Sequence, residues 1–346
     1  QYLAYRELKA AVEAHHAHGG TLVMLDVDTG EVLAMVNQQS YNPNDRSNLN
    51  ADGMRNKAIT DLFEPGSTMK PITVAAALET GRYKPTTKVD TSPGYRRFGR
   101  FTIRDSHNYK VLDLTGIVVH SSNVGISHVA TDIGGDVIHD MFYRMGIGQA
   151  TGIGFPGEAV GVLPSPPRWS PVQEATLSYG YGMSVNALQL AQAYMVLANG
   201  GIRYPLSLIR KDKPAEGTRV LSEKIAADVR KMLRGVVERG TGKRAQLNFY
   251  SAGGKTGTVH LVGSNGYEKS KYKAIFAGMA PADNPRLVTV VAVDAPQGAE
   301  YYGGEVAAPV FARVMGSALR LLNVKPELAL DAKASSEPAT DSGDRG

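Results

Sequence analysis

The positions of the strand patterns constrain the fold most, because they lie at both ends of the sequence with helical patterns between them. Residues 21–27 alternate in character, turn at Asp28-Thr29-Gly30 and continue through residues 31–36, which predicts a β-hairpin. The other predicted strands cover residues 252–260, 273–280 and 287–294. We therefore expect one five-stranded, mostly antiparallel sheet that draws on both termini, from residues 20–36 and 252–294.

Helical patterns fill the middle of the sequence and flank the sheet segments. The predicted helices cover residues 3–16, 67–79, 112–145 (interrupted at 121–123 and 134–135), 188–198, 223–238 and 306–322. We expect an α+β fold, layered as α/β, with helices on both faces of the sheet and an all-helical subdomain from roughly residues 67–200. One domain is expected over residues 1–325, with its cleft at the seam between sheet and helices.

The two ends of the chain carry expectations of their own. The first residues already show a helical pattern, so we expect an excised fragment. Residues 326–346 are rich in Ala, Ser, Glu and Asp and are predicted to be a disordered tail. This tail holds five acidic and two basic residues, so the net charge of +5 corresponds to +8 for residues 1–325. A domain with a net positive charge favours anionic polymers, membrane surfaces or carboxylate substrates as binding partners.

Composition removes several classes of site. The absence of cysteine excludes disulfides, iron–sulfur clusters and thiolate zinc sites. No apolar run approaches the roughly 18 residues that a membrane span needs. No segment combines dense Lys and Arg with stacking aromatics, so nucleic acid is not an expected partner. No metal site and no cofactor are expected either, since His15, His16 and His18 have no further ligand at suitable spacing.

Ser67 and Lys70 form the first candidate catalytic pair. They lie three positions apart at the predicted start of a helix, which places them on one face, and Pro71 keeps that start close to Ser67. A lysine in a partly buried, cation-rich cleft loses proton affinity, so Lys70 could act as a neutral base towards the serine hydroxyl. The alternative is a capping serine beside a solvated lysine. Ser270 and Lys273 share the spacing but lead into a strand.

The segment Lys255-Thr256-Gly257-Thr258 is the second candidate element, on a predicted strand. Gly257 leaves room for another backbone, and a substrate peptide could pair with this strand edge. The hydroxyls of Thr256 and Thr258 share one face and could bind a terminal carboxylate. The backbone N–H groups of Ser67 and Thr258 could form an oxyanion hole. The alternative is an edge lysine that prevents aggregation.

The triplet Ser121-Ser122-Asn123 is the third candidate element, because it interrupts two helical stretches. A turn there would project short polar side chains into a cleft. The Ser121 hydroxyl could relay a proton to a leaving amine, and the Asn123 amide could hold a substrate carbonyl or Lys70. Helix capping is the alternative. Other Ser-x-Asn triplets begin at Ser40, Ser106 and Ser184, and for the last two we expect a capping role.

Taken in order, these three elements resemble the penicilloyl-serine transferase family. The segments that resemble transpeptidase domains of class B penicillin-binding proteins are Thr151–Glu158, Trp169, Ser178–Gly182 and Leu188–Gly201. Tyr301–Gly304 and Ala308–Phe311 resemble the division-type, FtsI-like branch. The resemblance runs from about Gly20 to Leu322. One local departure is Asn186, where relatives often have Thr.

This resemblance implies the penicillin-binding-protein transpeptidase and serine β-lactamase-like fold, and a peptidoglycan D,D-transpeptidase activity. Ser67 would attack the D-Ala-D-Ala carbonyl of a stem peptide, D-Ala would leave, and an acceptor amine would turn the acyl-enzyme into a cross-link. β-Lactams would acylate the same serine. The other implied roles are the base for Lys70, the proton relay for Ser121 and Lys255, positioning for Asn123, and an aromatic wall near inhibitors for Tyr301 and Tyr302.

The resemblance also implies a place in the bacterial cell. The expected partners are peptidoglycan stem peptides, β-lactam antibiotics, a septal glycosyltransferase and divisome proteins. The expected location is the inner membrane, with the catalytic domain in the periplasm. The family is expected to carry an N-terminal membrane anchor and a pedestal, which this chain lacks.

Three alternatives use the same acyl-enzyme. A class A β-lactamase needs a carboxylate that activates water, usually within Glu-x-x-Leu-Asn, and no Glu between Asn123 and Lys255 has that context. A D,D-carboxypeptidase differs only in transferring the acyl group to water. A β-lactam sensor would be acylated without turnover.

Overall fold

The computed structural model describes residues 1–45, 47, 51–213, 216–263 and 266–328, without the side chain of Lys269. Most of the predicted acidic tail, residues 329–346, lies outside the described residues. The strands are β1 (Gly19–Asp26), β2 (Val32–Gln38), β3 (Lys88–Asp90), β4 (Tyr95–Phe98), β5 (Phe101–Arg104), β6 (Val111–Asp113), β7 (Ile202–Arg203), β8 (Thr218–Arg219), β9 (Gly253–Gly263), β10 (Gly266–Ala280) and β11 (Leu287–Asp294).

The helices frame these strands. They are α1 (Tyr2–Ala14), α2 (Ala51–Met54), α3 (Lys57–Thr60), α4 (Lys70–Glu79), α5 (Leu114–His120), α6 (Asn123–Ile133), α7 (Gly135–Arg144), α8 (Pro171–Leu177), α9 (Ala187–Ala198), α10 (Glu223–Arg239) and α11 (Gly303–Leu321). Two 3₁₀ turns, Gly66–Met69 and Lys243–Ala245, precede α4 and β9. None of the helices in the described part of the chain is both long and apolar enough to cross a membrane.

The main sheet has the strand order β2-β1-β11-β10-β9, and every neighbouring pair is antiparallel. The two ends of the chain meet where β1 pairs with β11 along its whole length, from Gly19 opposite Asp294 to Asp26 opposite Leu287. The predicted α+β class and five-stranded sheet are thereby confirmed. Since β9 is an edge strand, one of its sides is free to border a cleft.

Strand alternation divides the core into two layers. In β1, Leu22 and Met24 pack in the cluster that contains the buried faces of α1 and α11. Val23 and Leu25 point to the opposite side and pack with the helices that the middle of the chain supplies. Successive strand residues face opposite sides, so one strand contributes to both layers.

Helix α9 lies inside the helical layer, and each of its residues is buried. Asn186 is its N-cap: the Asn186 side chain accepts a hydrogen bond from the Gln189 backbone N–H at 2.7 Å, and the Gln189 side-chain oxygen accepts one from the Asn186 backbone N–H. The departure at position 186 therefore places a favourable capping residue at the start of this helix.

Two local expectations were incomplete. Helix α8 was not predicted, because it is short and follows a segment rich in Gly and Pro; its sequence signal was the capping box of Ser170 and Gln173. The second strand of the hairpin was predicted to end at residue 36, whereas β2 extends to Gln38, and the helical turn Ala51–Met54 was not predicted.

Candidate active site

The turn that carries Ser67 differs from the predicted helix start. Gly66–Met69 is a 3₁₀ turn, and the α-helix begins at Lys70. Pro71 explains the difference, because in an α-helix its N–H would bond the Ser67 carbonyl, and proline has none. The Lys70 N–H donates to that carbonyl instead, which is the tighter 3₁₀ pattern. Ser67 thus lies within the tight turn that leads into α4.

This turn packs directly on the edge strand β9. Gly66 has a φ of +57°, and a Cβ there would approach Val259 to 2.4 Å. A Cβ on Gly257 would lie 3.1 Å from the Pro65 carbonyl oxygen, in agreement with the close approach expected at that glycine. From the other side, the buried Tyr194 hydroxyl donates to the Thr68 carbonyl at 2.8 Å. These contacts hold the serine turn between β9 and α9.

Two buried lysines meet at Ser121. Lys70 Nζ donates to the Ser121 carbonyl at 2.5 Å, to Ser121 Oγ at 3.1 Å and to Asn123 Oδ1 at 2.7 Å. Lys255 Nζ donates to the same Ser121 Oγ at 2.9 Å and to the Thr256 carbonyl at 3.1 Å. Both lysines are fully buried. The structure thus brings together three elements that are far apart in the sequence.

Burial lowers the proton affinity of both amines, and the charge of Lys255 lowers that of Lys70 further. The pKa of Lys70 lies well below its usual value, first because of burial and then because of the charge of Lys255, with Asp105 partly opposing the shift. Burial lowers the pKa of Lys255 to about 7. Loss of solvation disfavours the charged form of an amine, so neutral lysine is accessible near neutral pH at this site.

The turn at Ser121–Asn123 is built from local and distant contacts. Ser121 adopts a left-handed conformation with φ +58°, and the Ser122 hydroxyl caps α6 by accepting from the Gly125 N–H at 2.8 Å. Asp105 anchors the turn by accepting from Ser122 Oγ at 2.5 Å, the Asn123 N–H at 2.6 Å and the Val124 N–H at 3.0 Å. Asp105 was not predicted from the sequence, because nothing local indicates that its partners lie 17 to 19 residues away.

Ser67 shares a cleft of about 540 Å³ with these groups. The cleft is lined by Ser67, Asp105, Ser106, Tyr109, His120, Ser121, Asn123, Gly240, Thr241, Lys243, Arg244, Thr256, Thr258, Tyr302, Gly304 and Glu305. Within the described residues, the Ser67 hydroxyl has no hydrogen-bond partner, so a direct bond to Lys70 is not formed. The reason is that an ammonium has three donors, and those of Lys70 already have three acceptors on Ser121 and Asn123.

The threonines lie on the cleft wall, as their alternation with Gly257 predicts. Thr256 and Thr258 both line the cleft, and Thr256 Oγ1 is 2.8 Å from Thr241 Oγ1. The Thr258 hydroxyl accepts a hydrogen bond from the Gly303 N–H at 3.0 Å, which joins β9 to the start of α11.

The two tyrosines are arranged differently from each other. Tyr302 lines the cleft, whereas Tyr301 lies behind it, with ring centroids 4.3 Å from Tyr302 and 4.5 Å from Tyr272. The Tyr301 hydroxyl donates to that of Tyr302 at 3.0 Å. Only one of the two predicted wall residues therefore faces the cleft directly.

The capping role expected for Ser106 and Ser184 was wrong. The Ser106 hydroxyl lies on the cleft wall, 3.1 Å from the Tyr109 hydroxyl and 3.0 Å from His107 Nδ1. Ser184 lies in an isolated β-bridge with Val162.

Glu305 and Thr241, which also line the cleft, were not singled out from the sequence. Within the described residues, no group of three or more His, Cys, Asp or Glu is placed to hold a metal ion.

Comparison with known proteins covers almost all of the chain. A family model described as the penicillin binding protein transpeptidase domain matches residues 20–316. The probable peptidoglycan D,D-transpeptidase PenA of Neisseria gonorrhoeae is 40% identical over 340 residues, which are 98% of this chain and 58% of the relative. The peptidoglycan D,D-transpeptidase FtsI of Escherichia coli K12 is 44% identical over 328 residues, which are 94% of this chain and 55% of the relative.

A solved structure extends the similarity to three dimensions. The TP domain from Burkholderia pseudomallei penicillin-binding protein 3 matches with a TM-score of 0.87 and 40% identity, over 95% of this chain and 96% of that one. The present chain spans a little over half the length of the two curated relatives.

Proposed function

The chain belongs to the family of penicillin-binding protein transpeptidase domains, and on this premise we propose that it is the catalytic part of a serine-type peptidoglycan D,D-transpeptidase. The observation that carries the proposal is the Ser121 hydroxyl, which both buried lysines contact in the cleft that also contains Ser67. The proposed reaction releases D-Ala from a donor stem peptide and joins the remaining acyl group to an acceptor amine.

In the acylation step, Ser67 Oγ attacks the carbonyl carbon of the D-Ala-D-Ala bond. Lys70 in its neutral form takes the hydroxyl proton, which its lowered pKa permits near neutral pH. A neutral amine keeps two donors for Ser121 and Asn123 and directs its lone pair to Ser67. The backbone N–H groups of Ser67 and Thr258 would hold the oxyanion, where one donor contributes roughly 3–4 kcal/mol.

Departure of D-Ala requires a proton on its nitrogen. The Ser121 hydroxyl is suited to deliver it, because Lys70 and Lys255 both contact this oxygen and can replace the proton. The C–N bond then breaks, and an ester to Ser67 remains. Asn123 keeps Lys70 in place through the 2.7 Å hydrogen bond from the lysine to its amide oxygen.

The second half of the reaction reverses these roles. The acceptor amine attacks the ester carbonyl, its proton passes to the same Ser121 and lysine network, and Ser67 leaves with a proton as a free hydroxyl. A β-lactam would acylate Ser67 in the same way, but its opened ring stays attached and keeps the acceptor out. Penicillin-labelled enzyme should therefore lose its label slowly.

Substrate binding is proposed along β9. The hydroxyls of Thr256 and Thr258 line the cleft next to the Lys255 backbone and would bind the terminal carboxylate of the donor. Gly257 allows the Ser67 turn to approach, and Tyr302, supported from behind by Tyr301, would form an apolar wall for donor or inhibitor side chains.

The cellular setting is part of the proposal. A relative named FtsI supports a role in septal cell-wall synthesis, with a septal glycosyltransferase and divisome proteins as partners. The catalytic domain would act in the periplasm, held at the inner membrane by a segment that precedes these residues in the whole protein.

The first experiment uses a fluorescent penicillin and matched serine variants. Ser67→Ala should abolish covalent labelling, whereas Ser270→Ala, at the other Ser-x-x-Lys spacing and exposed on β10, should label like the wild type. Retention of label by the Ser67→Ala protein would refute the nucleophile.

The second experiment separates transfer from its alternatives. A thioester donor with an added D-amino acid should give the transfer product, and mass spectrometry of muropeptide products should show cross-links. Fast loss of penicillin label would indicate a β-lactamase. Donor hydrolysis without transfer would indicate a D,D-carboxypeptidase, and labelling without any turnover would indicate a sensor.

A further inference from the structure

One carboxylate in the cleft has no partner. Glu305 lies in the first turn of α11 and lines the same cleft as Ser67. Its Oε2 is buried without a hydrogen bond, and within the described residues neither carboxylate oxygen takes part in an ion pair or side-chain hydrogen bond. The backbone N–H of Glu305 donates to the Tyr302 carbonyl at 2.9 Å.

Two other charged groups of the cleft have partners elsewhere. Asp105, the second carboxylate of the cleft, is occupied by Ser122, Asn123 and Val124. Arg244, a cation of the same cleft, points its guanidinium to Glu300 at 3.0 Å. Glu305 is thus the carboxylate of this cleft that remains available to a ligand.

The chemistry of that ligand follows from the carboxylate itself. A buried acceptor without a donor is unfavourable, and a charged donor satisfies a carboxylate better than a neutral one does. A group without a donor would leave the buried oxygen unsatisfied, and a neutral donor would satisfy it less well than a cation. A primary ammonium offers three donors and a complementary charge.

We propose that Glu305 recognises the ammonium form of the acceptor amine and thereby sets the preference of the acyl-enzyme for cationic amines over other nucleophiles. The proposal rests on the proposed transpeptidase function and deepens it. Glu305 acts by recognition and adds no covalent step. After binding, the ammonium loses one proton to solvent and becomes the nucleophilic amine. The proton that this amine releases on attack passes through the Ser121 and lysine network to Ser67 Oγ as the ester bond breaks.

The test compares two nucleophiles on the same acyl-enzyme. D-Alanine carries an ammonium at neutral pH, whereas hydroxylamine is neutral there and traps acyl groups without needing a cation site. With a thioester donor, Glu305→Gln should lower the ratio of D-alanine transfer to hydroxylamine transfer about tenfold, the size expected for one charged hydrogen bond. The fall should appear as a higher half-saturating D-alanine concentration, and Glu305→Asp should restore part of the ratio.

The matched control is Glu223→Gln, which removes the same charge from the first turn of another helix, α10, outside the cleft. It should keep the wild-type ratio. Penicillin labelling stoichiometry reports the folded, acylatable fraction of each protein, so loss of folding cannot imitate the effect.

Three outcomes would overturn the proposal. An unchanged ratio in Glu305→Gln would refute it and leave the transpeptidase function standing. Slower hydrolysis of the acyl-enzyme in Glu305→Gln, with the ratio unchanged, would make Glu305 a water-activating group. Absence of transfer to both nucleophiles in the wild type would remove the function on which the proposal rests.

Discussion

The floor and the rim of the cleft are built in opposite ways. The cleft floor, which we define as Lys70, Ser121, Asn123 and Lys255, has two fully buried amines, each with a set of acceptors in place. The cleft rim, defined as Lys243, Arg244, Tyr302 and Glu305, holds exposed rings and charges together with an unpartnered buried oxygen.

This difference indicates which residues determine the reaction rate and which determine the choice of ligand. Groups that are hydrogen-bonded before substrate arrives need no reorganisation during the reaction, which favours bond chemistry at the floor. Groups that lack partners until a ligand binds contribute to affinity and choice of ligand. Floor variants should therefore change rates by orders of magnitude, whereas rim variants should change binding by small factors.

The largest effect is expected for Lys70→Met. Loss of the proposed base should lower the rate constant of penicillin acylation about 10³-fold, within the range that a general base contributes. Stopped-flow or gel-based labelling measures this rate constant. Lys224→Met, an exposed lysine of α10, is the control and should keep the wild-type value. A loss smaller than tenfold for Lys70→Met would place the base elsewhere.

The second-largest effect on the acylation rate is expected for Ser121, and Ser106, in the other Ser-x-Asn triplet of the cleft, serves as its comparison. Ser121→Ala removes the oxygen that both lysines share, so acylation should slow about 10²-fold. Ser106→Ala removes a cleft hydroxyl whose partners are Tyr109 and His107, and it should lose less than tenfold. Equal losses in the two variants would contradict a special role for the Ser121 hydroxyl of the cleft floor.

A third prediction concerns stability and pH at the floor. The folded pKa of Lys255 is about 7 and the unfolded value is near 10.4, so between these values the unfolded chain binds more protons. Through this lysine, the free energy of unfolding should therefore rise with pH, by up to about 1.4 kcal/mol per pH unit.

Urea unfolding of the wild type and of Lys255→Met at pH 7, 8 and 9 measures this contribution. The difference in free energy of unfolding in favour of the variant should be largest at pH 7 and should shrink towards pH 9, because the cost of deprotonating the buried wild-type amine falls as the pH rises. Lys224→Met should give a difference that does not vary with pH. A constant difference for Lys255→Met would mean that its amine keeps an ordinary pKa.

The smallest effect is expected at the rim. Tyr302→Ala removes an aromatic face from the cleft, and the penicillin concentration for half-maximal labelling rate should rise about threefold, as for the loss of one aromatic contact. Tyr2→Ala, a 75% exposed tyrosine of α1, is the control. A hundredfold effect of Tyr302→Ala would show that the rim takes part in the chemistry.

Much of this molecule was predictable from local patterns. The three antiparallel C-terminal strands, the hairpin at the N-terminal end and the breaks at Ser121 and Gly134 are where the sequence predicts them, because alternation, glycine and capping act over a few residues. The resemblance to division-type class B penicillin-binding-protein transpeptidase domains is confirmed by the family match and by the relatives named FtsI and PenA.

The contacts of the site were less predictable. Asp105 shows no sequence signal for its role beneath Ser122, and Glu305 resembles any acidic residue in the first turn of a helix. The absence of a hydrogen bond between Ser67 and Lys70 was equally unpredictable from the sequence. The spacing of three residues places both side chains on one face, but it does not reveal that Ser121 and Asn123 already accept the hydrogen bonds of the lysine.

The sequence alone determined the chemical groups and their order along the chain: a hydroxyl one turn before a lysine, a polar break between helices, and a lysine on a strand edge. Tertiary structure alone decided that these groups meet, since Lys70 and Ser121 are 51 residues apart and Ser121 and Lys255 are 134 apart. The physical reason is that a residue's type sets its intrinsic proton affinity, whereas the lowered pKa of both lysines arises from burial, and that of Lys70 also from the charge of Lys255, and both causes exist only in the folded chain.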